Sequence, residues 1–467
     1  MNIYNTLAKK IEKLSPINEY VGIYSCGPTV YDRAHIGNLT SFIYADTLSR
    51  VLRATDHEVK HVMNYTDIDD KTIRRSNELY PDKNPTDALN ELTNNEINHF
   101  LSDSKSVGID IDNIQFIRAT DSIKNMQNLI IELINKNIAY KADDGIYFSI
   151  SNYVKSGHKY GQLSNISIDS TSEARINNDE YDKDSVHDFA LWKYAKSDEP
   201  SWEFIINNSN LKGRPGWHIE CSAMSTELLG QPFDIHTGGI DLIFPHHENE
   251  IAQSTATKNN KKLANIFMHN EHLLVENKKM SKSLNNFYTI KDVVNKNYDP
   301  LSLRLLTLQA HYRSILHFSW HNLEAAQNRL HNYQAMADLR WQTTSDGSIG
   351  DEYINSTKNA IIEALQNDLN TPKALSILSE FEKDAVLRLI DTQSSKSYDE
   401  FVKFLDIVFG FNLLKDDINQ DIKKLIGERE TARRNADFNE SDKIRDKLIE
   451  KNIGLRDTDG KTIWYRL

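Results

Sequence analysis

The feature that most constrains the fold is a strand, loop, helix and strand near the start of the chain. YVGIYSC (Tyr20 to Cys26) has the apolar run of a short buried strand, and NLTSFIYADTLSRVLRAT has apolar residues at helical spacing. HEVKHVMNYTD then shows a second strand pattern. This order is typical of the βαβ unit of a parallel sheet, whose ligands bind beyond the carboxyl ends of the strands. We therefore expect the loop CGPTVYDRAHIGN to line a binding site.

The length of 467 residues exceeds what one hydrophobic core usually supports, so several domains are expected. The fold class is predicted to be α/β, with a parallel-sheet domain over residues 1–110 and 203–299 and an insertion at 111–202. Apolar residues at helical spacing predominate from Pro300, which predicts a helix bundle over 300–416. A helical pair followed by a strand-like KTIWYRL predicts a small C-terminal domain over 417–467.

Composition and charge narrow the class of protein. No apolar run reaches the roughly 18 residues that could span a bilayer. The lysines near the N-terminus are not followed by the apolar core of a secretory signal, so we expect a cytoplasmic protein. A net charge of −12 argues against nucleic-acid binding by the whole surface, although it leaves room for local basic patches.

The chain has two cysteines, Cys26 and Cys221. In a reducing compartment a disulfide is disfavoured, which leaves buried thiols or metal ligands. In IFPHHENE, His246 and Glu250 stand four residues apart and hence on one helix face, as in half of a zinc site. The alternative is that both cysteines are buried thiols and His246 is a helix-cap residue. Spacing alone does not decide between these interpretations.

Two further motifs suit phosphate. HIGN, from His35 to Asn38, stands at the start of the predicted helix, where an imidazole, a glycine backbone and the helix N-terminus can meet a polyphosphate. KKMSKSLNNF carries Lys279 and Lys282, whose ammonium groups suit a nucleotide triphosphate. Each motif alone is weak evidence, because a lone lysine loop is typically a solvated turn, but the two occur together in this chain.

These motifs carry a resemblance to a known family. HIGN resembles the HIGH signature of class I aminoacyl-tRNA synthetases, and KMSKS matches their second signature in the expected order. CGPTVYD, NYTDIDDK, GWHIECSAM and DIHTGGIDLIFPHHENE make the chain similar to cysteinyl-tRNA synthetases over nearly its whole length. The resemblance implies a class I Rossmann-like catalytic domain that activates L-cysteine with ATP and transfers it to the 3′ end of tRNA(Cys). It also implies ATP with Mg²⁺ as substrate. We expect a monomer, and the lack of a long apolar run predicts no membrane partner.

The resemblance also assigns site residues. One zinc ion per chain would be held by Cys26, Cys221, His246 and Glu250. It would select the thiol of cysteine over the hydroxyl of serine, because zinc binds thiolate strongly. Catalytic roles are implied for His35, Asn38, Lys279 and Lys282. ATP binding is implied for His35, Gly37, Asn38, Lys279, Met280, Ser281, Lys282 and Ser283. Cysteine binding is implied for Gly27, Thr29, Thr66, Trp217, His236 and Asp241.

The C-terminal segment TARRNADFNESDKIRDKLIEKNIGLRD carries about as many basic as acidic residues in an otherwise acidic chain. An arginine and an aromatic residue can hydrogen-bond and stack on unpaired bases. The resemblance implies anticodon reading by Arg433, Phe438 and Asp457. The alternative is that Phe438 is a core residue of the helical pair.

The chain departs from the family pattern at three positions. Asn38 replaces the second histidine of HIGH, Asn285 stands where glycine is common, and Phe438 stands where tryptophan is frequent.

Two other functions share part of the family pattern and are the alternatives to the synthetase function. A mycothiol-type cysteine ligase lacks the C-terminal tRNA-reading region, and a catalytically inactive RNA-binding paralogue usually loses a signature.

Overall fold

The computed structural model describes residues 1–164, 175–176, 187–258, 261–280, 286–345, 347–458 and 461–467. The chain comprises two compact units. The first contains Met1–Asp292 and Tyr312–His317, and the second contains Val293–His311 and Phe318–Leu467. The finer division into four domains stays a prediction.

The strands are β1 (Asn2–Asn5), β2 (Lys10–Lys13), β3 (Tyr20–Ser25), β4 (Glu58–Tyr65), β5 (Ile114–Arg118), β6 (Ala139–Lys141), β7 (Gly145–Phe148), β8 (Arg175–Ile176), β9 (Asp188–Tyr194), β10 (Ile205–Ile206), β11 (Ser209–Asn210), β12 (Gly213–Pro215), β13 (Phe233–Gly239), β14 (Ala264–Asn270), β15 (Leu273–Val275), β16 (Lys278–Lys279), β17 (Leu316–Phe318), β18 (Ile453–Thr458) and β19 (Lys461–Arg466).

The α-helices are α1 (Ile36–Ala54), α2 (Asp70–Leu79), α3 (Pro85–Ser106), α4 (Ile123–Asn135), α5 (Ile150–Lys155), α6 (Trp217–Leu229), α7 (Glu248–Thr257), α8 (Ile290–Asn295), α9 (Leu301–Leu308), α10 (Trp320–Asp338), α11 (Asp351–Gln366), α12 (Thr371–Arg388), α13 (Ser395–Phe409), α14 (Gln420–Arg434) and α15 (Phe438–Ile449). No helix within the described ranges combines the length and the apolar character that crossing a membrane requires.

A five-stranded parallel sheet forms the centre of the first unit, in the order β14-β13-β3-β4-β5. β3, α1 and β4 form the predicted βαβ unit, and the α/β fold class is confirmed. Ile23 and Tyr24 of β3 are fully buried because both faces of the sheet are covered. The carboxyl ends of β3, β4 and β13 meet at one edge of the sheet, so the residues that follow them can form a single site.

The parallel sheet extends into the segment that we assigned to the insertion. β5 pairs with β4 from Ile114 to Arg118, so the sheet includes a strand that lies after residue 111. β5 is an edge strand whose polar Gln115 is exposed, and its short pattern of mixed polarity did not mark it as part of a core sheet. A second sheet, in the order β12-β9-β7-β6, follows with α4 and α5.

The second unit is helical up to α13, as the periodicity predicts. After it, α14 and α15 pack with the hairpin of β18 and β19 around a small core, Ile418, Ile426, Ile444, Leu448, Ile453 and Trp464. The sequence pattern indicates β19 but not β18, because IGLRDT is largely polar and lacks the apolar alternation of a half-buried strand.

Candidate active site

Four predicted metal ligands come together at the carboxyl edge of the parallel sheet. Cys26 follows β3, Cys221 lies on α6, His246 precedes α7, and Glu250 lies in the first turn of α7. Their ligand atoms all lie within 4.8 Å of one another. Cys221, His246 and Glu250 are buried, and Cys26 is half-buried. Both cysteines are free thiols, so the disulfide interpretation does not apply.

The distances among these atoms fit a tetrahedral zinc ion. The Sγ atoms of Cys26 and Cys221 lie 3.8 Å apart. Two thiolates bound to one tetrahedral zinc ion, with Zn–S bonds of about 2.3 Å, would also be separated by about 3.8 Å. His246 Nε2 lies 3.0 Å from Glu250 Oε1, close to the separation of about 3.3 Å expected for nitrogen and oxygen ligands. The donor set of two thiolates, an imidazole and a carboxylate is one that zinc prefers.

Neighbouring side chains orient these ligands. The Nδ1 atoms of His218 and His246 lie 2.9 Å apart, which leaves His246 Nε2 directed at the cluster. The Trp217 ring stacks on the His246 ring with a centroid distance of 4.4 Å. His236 Nε2 lies 2.7 Å from Glu250 Oε2. Such contacts to the second nitrogen or oxygen of a ligand fix its direction before a metal binds.

Electrostatics also suit a metal site. A hydrogen bond from the Cys26 thiol lowers the pKa of Cys221 to about 6, and burial, together with the same contact, raises that of Cys26. Burial lowers the pKa of His246, but the charges of Glu250 and Cys221 raise it more, to about 10. Burial raises the pKa of Glu250, but His236 and His246 hold it well below its usual value. The protonated His246 imidazole therefore stabilises the negative charges of Cys221 and Glu250. A metal ion would take over this role.

Two residues near the cluster did not stand out in the sequence. His247 Nε2 lies 3.3 Å from Cys26 Sγ, although His247 lacks a carboxylate four residues on. A second possible ligand group consists of Cys26, His236, His247 and Glu250. Asn64 Oδ1 accepts a hydrogen bond from the Gly27 backbone N–H at 3.0 Å, and its Nδ2 donates to Thr66 Oγ1 at 3.2 Å. The signals for these residues are their places in PHHENE and NYTDIDDK.

A cavity of about 290 Å³ opens beside the cluster. The predicted site residues that line it are Cys26, Gly27, Thr29, His35, Asn38, Thr66, Trp217, Cys221, Asp241 and His246. Lys71, Tyr31 and Phe287 line it as well. His236, which we expected in the substrate pocket, is fully buried and contacts Glu250 from behind the wall of the cavity.

The HIGN motif forms a reciprocal cap at the start of α1. His35 Nδ1 accepts a hydrogen bond from the Asn38 backbone N–H at 3.1 Å, and Asn38 Oδ1 accepts from the His35 backbone N–H at 3.2 Å. This is a capping box in which imidazole and amide replace the usual hydroxyl and carboxylate. Burial lowers the pKa of His35 to about 4, although Asp241 opposes the shift. His35 is therefore neutral at pH 7, and because Nδ1 accepts, the proton lies on Nε2.

The second signature approaches the first at Gly37. A Cβ atom at Gly37 would lie 2.5 Å from Met280 Cε and 3.1 Å from the His35 ring, so glycine permits this approach. The Ile36 backbone N–H donates to Tyr288 O at 2.9 Å, and the Phe287 ring contacts the His35 ring edge-on. Lys279 ends β16. Ser281, Lys282, Ser283 and Asn285 lie outside the described residues.

The three residues predicted to read the anticodon lie in the C-terminal part of the chain. Arg433 forms an ion pair with Asp457, which also accepts hydrogen bonds from Arg429 at 2.9 and 2.8 Å. Hydrogen bonds from Arg429 lower the pKa of Asp457 to about 2. Phe438 begins α15 and is 63% exposed, so it is not a core residue of the helical pair. Arg429 is fully buried and was not among the predicted residues.

Comparisons with known proteins identify the family of this chain. Residues 13–328 match the family model described as the tRNA synthetases class I (C) catalytic domain. The cysteine–tRNA ligase of Leptospira interrogans serovar Lai is 39% identical over 100% of this chain and 99% of its own length. That of Chlamydia muridarum is 38% identical over 98% of both chains.

Solved structures show the same fold at low identity. Mycobacterium tuberculosis methionyl-tRNA synthetase in complex with methionyl-adenylate has a TM-score of 0.58 at 13% identity, covering 84% of this chain and 89% of its own. The leucyl-tRNA synthetase of Agrobacterium radiobacter, solved in a ternary complex, has a TM-score of 0.58 at 10% identity, covering 85% and 84%. The chain belongs to the cysteine–tRNA ligase family of class I tRNA synthetases.

Proposed function

We propose that this chain activates L-cysteine with ATP and transfers the cysteinyl group to tRNA(Cys). The observation that carries the proposal is a cavity whose wall holds three of the four candidate metal ligands together with the capped histidine of a class I signature. Cys26, Cys221 and His246 stand on its wall together with His35 and Asn38. In this proposal, the cavity combines a thiol-recognition site with a phosphate-binding site.

Cys26, Cys221, His246 and Glu250 would hold one zinc ion. A zinc ion supplies affinity for the substrate thiolate and lowers the pKa of the thiol, which serine cannot match. We favour this ligand set over the group containing His247. Three of its members line the cavity, whereas Cys26 alone does so in the other group. His236 would then act by holding Glu250, and not by touching cysteine.

The remaining wall residues would place cysteine and ATP. Trp217 would close the small pocket, Gly27, Thr29 and Thr66 would form the wall near the thiol, and Asp241 would pair with the ammonium group. All five residues line the cavity. The cysteine carboxylate attacks the α-phosphorus of ATP in line. The new C–O–P linkage forms as the bond to pyrophosphate breaks, and Mg²⁺ enters with ATP. Positioning and charge stabilisation supply most of the rate enhancement in such a reaction.

The signature residues would stabilise the negative charge that develops on the phosphates. His35 is neutral and carries its proton on Nε2, so it can donate a hydrogen bond to a phosphate oxygen without acting as an acid. Asn38 orients His35 and faces the same cavity. Lys279 and Lys282 would contribute positive charge, and Gly37, Met280, Ser281 and Ser283 would complete the ATP site.

We further propose that Arg433, Phe438 and Asp457 read the anticodon. Phe438 presents an exposed ring for stacking, and the pairing of Arg433 with Asp457 sets the guanidinium direction. We propose that the protein works as a cytoplasmic monomer.

The test is cysteine-dependent exchange of pyrophosphate into ATP, followed by charging of tRNA(Cys). The proposal predicts exchange with cysteine and formation of cysteinyl-tRNA(Cys). Exchange without charging, together with acceptance of an amino sugar, would identify a ligase of the mycothiol type.

A further inference from the structure

Glu248 is a buried carboxylate with an unusual set of partners. Only 1% of it is exposed, and it lies two residues from the predicted ligand Glu250. Its Oε1 accepts hydrogen bonds from the backbone N–H groups of Gly161 and Gln162, both at 2.9 Å. Its Oε2 accepts from those of Leu163 and Ser164 at 2.8 and 3.0 Å, and from Ser164 Oγ at 3.1 Å. Five donors thus converge on one carboxylate.

The backbone conformation of the loop that supplies these donors directs its N–H groups at Glu248. Gly161 has a φ of +81°, a conformation that favours glycine, and four successive N–H groups then point at one acceptor. Tyr160, the preceding residue, donates its hydroxyl hydrogen to Asn249 Oδ1 at 2.5 Å. Residues 160–164, which we call the clamp loop, therefore hold the first two residues of α7.

The geometry of α7 places the clamp loop opposite the metal ligands. Successive residues of an α-helix turn by about 100°, so Glu248 and Glu250 point about 200° apart. Glu250 faces Cys26 and His246, while Glu248 faces the clamp loop. The start of α7 is thus held between the candidate metal ligands and the clamp loop. The contacts on one face of the helix limit movement of the residues on the other face.

The far end of α7 is held by the same part of the chain. Lys136 Nζ donates to the carbonyl oxygens of Ala256 and Thr257, both at 2.9 Å. Tyr153 Oη lies 2.7 Å from Thr255 Oγ1. These contacts fix the direction of α7, whereas the Glu248 contacts fix the turn that carries Glu250.

We propose that Glu248 is a positioning residue of the metal site, which fixes Glu250 and His246 by locking the first turn of α7 to the clamp loop. The consequence for cysteine selection rests on the proposed function. Loss of the carboxylate charge frees the turn, so the metal would be released faster and cysteine would bind more weakly. The Glu248 carboxylate faces the clamp loop and the Glu250 carboxylate faces the other candidate ligands, so the effect of Glu248 would be transmitted through Glu250.

The test compares three variants of the zinc-loaded, full-length protein. Glu248→Gln places an amide NH₂ group against two N–H donors. Ser164→Ala removes only the hydroxyl hydrogen bond and serves if Glu248→Gln does not fold. Asp234→Asn is the matched control, because Asp234 is also a buried carboxylate that accepts from backbone N–H groups, those of Ile17 and Gly22, away from α7.

Three readouts are measured: hydrogen exchange of amides 161–164, the rate of zinc release to a chelating dye, and the KM for cysteine in pyrophosphate exchange. For Glu248→Gln we expect the amide exchange rate, the zinc release rate and the KM for cysteine each to rise about tenfold or more, with a smaller change in kcat. The reason is the loss of hydrogen bonds to a charged group. Ser164→Ala should raise zinc release about two- to threefold. Asp234→Asn should leave zinc release unchanged.

Zinc release from Glu248→Gln at the wild-type rate would overturn the proposal, even if amide exchange is faster. Equal acceleration by Asp234→Asn would also overturn it, because the effect would then follow from general loss of stability. Zinc release does not depend on activity. A wild-type protein that binds zinc but lacks cysteine-dependent exchange would therefore contradict the proposed function and leave the comparison of the variants intact.

Discussion

Cys26 Sγ and Cys221 Sγ lie 3.8 Å apart although 195 positions separate the two residues in the chain. β3 and α6 bring them together at the carboxyl edge of the parallel sheet. The separation equals that of two thiolates on one tetrahedral zinc ion, to within about 0.1 Å. This pair is therefore the anchor of the proposed metal site.

Replacing Cys221 with serine should remove one of four ligands, because a serine hydroxyl is barely ionised at neutral pH. We expect zinc affinity to fall by more than about 100-fold, beyond the loss typical of contacts that only orient a ligand. Metal content after dialysis, measured by elemental analysis, checks this. Ser225→Ala is the control, since Ser225 is buried on the same helix. Full zinc content in Cys221→Ser would remove Cys221 from the ligand set.

The capping role of Asn38 can be separated from its proposed role beside the phosphates by two substitutions. Asn38→Ala loses the side-chain half of the capping box and should cost about 1 kcal/mol of unfolding free energy. Asn38→Asp keeps an oxygen that can cap the helix but adds negative charge beside the proposed phosphate site. We expect Asn38→Asp to be near wild type in stability yet slower than Asn38→Ala in pyrophosphate exchange. An aspartate variant as active as wild type would contradict a phosphate-binding role.

The sequence predicts elements whose pattern is strong and local. β3, α1 and β4 have uninterrupted apolar runs or clear helical spacing, and they lie where the pattern indicates. The sequence pattern does not predict β5 and β18, because Gln115 and Arg456 interrupt their apolar runs. These two strands form because each pairs with a neighbouring strand. Local periodicity does not report such pairing.

Prediction of the candidate site from sequence is limited in the same way, because a motif does not report the spatial arrangement of its residues. Motifs single out Cys26, Cys221, His246 and Glu250 as candidate ligands, but they do not report that the His236 side chain contacts Glu250. Four of the five donors to Glu248 are backbone N–H groups of a loop more than 80 positions earlier. Backbone donors are common to almost all residues and leave no mark in a sequence.

The free energy of unfolding should fall below pH 6.5, because His61 is buried in its neutral form. Burial lowers the pKa of His61 to about 4, whereas an unfolded histidine titrates near 6.5. Between these values the unfolded chain binds a proton that the native state does not. The stabilisation is therefore full above pH 6.5 and is lost as the pH falls toward 4, by about 2 kcal/mol at pH 5.

Urea unfolding at pH 7 and pH 5 measures this loss. His61→Gln lacks the titrating group, so its stability should fall less between the two pH values. The other histidines contribute equally to both proteins. An equal fall in wild type and His61→Gln would contradict the assignment.

Phe438 should matter to tRNA and not to cysteine activation. Stacking of a base on an aromatic ring contributes about 1–3 kcal/mol, so Phe438→Ala should raise the KM for tRNA(Cys) about tenfold. Pyrophosphate exchange and stability should change little because the ring is exposed. Ile449→Ala, at a half-exposed apolar position of the same helix, is the control. An unchanged KM for tRNA would exclude Phe438 from anticodon reading.

The most direct measurement of the central claim is kcat/KM for cysteine and for serine in pyrophosphate exchange, with protein that carries one zinc ion per chain. Shape alone separates such near-isosteres by about 10- to 200-fold. Recognition of the thiolate by a zinc ion held by Cys26, Cys221, His246 and Glu250 predicts a preference for cysteine well above that range. A ratio within it, or comparable activity with serine, would contradict the account.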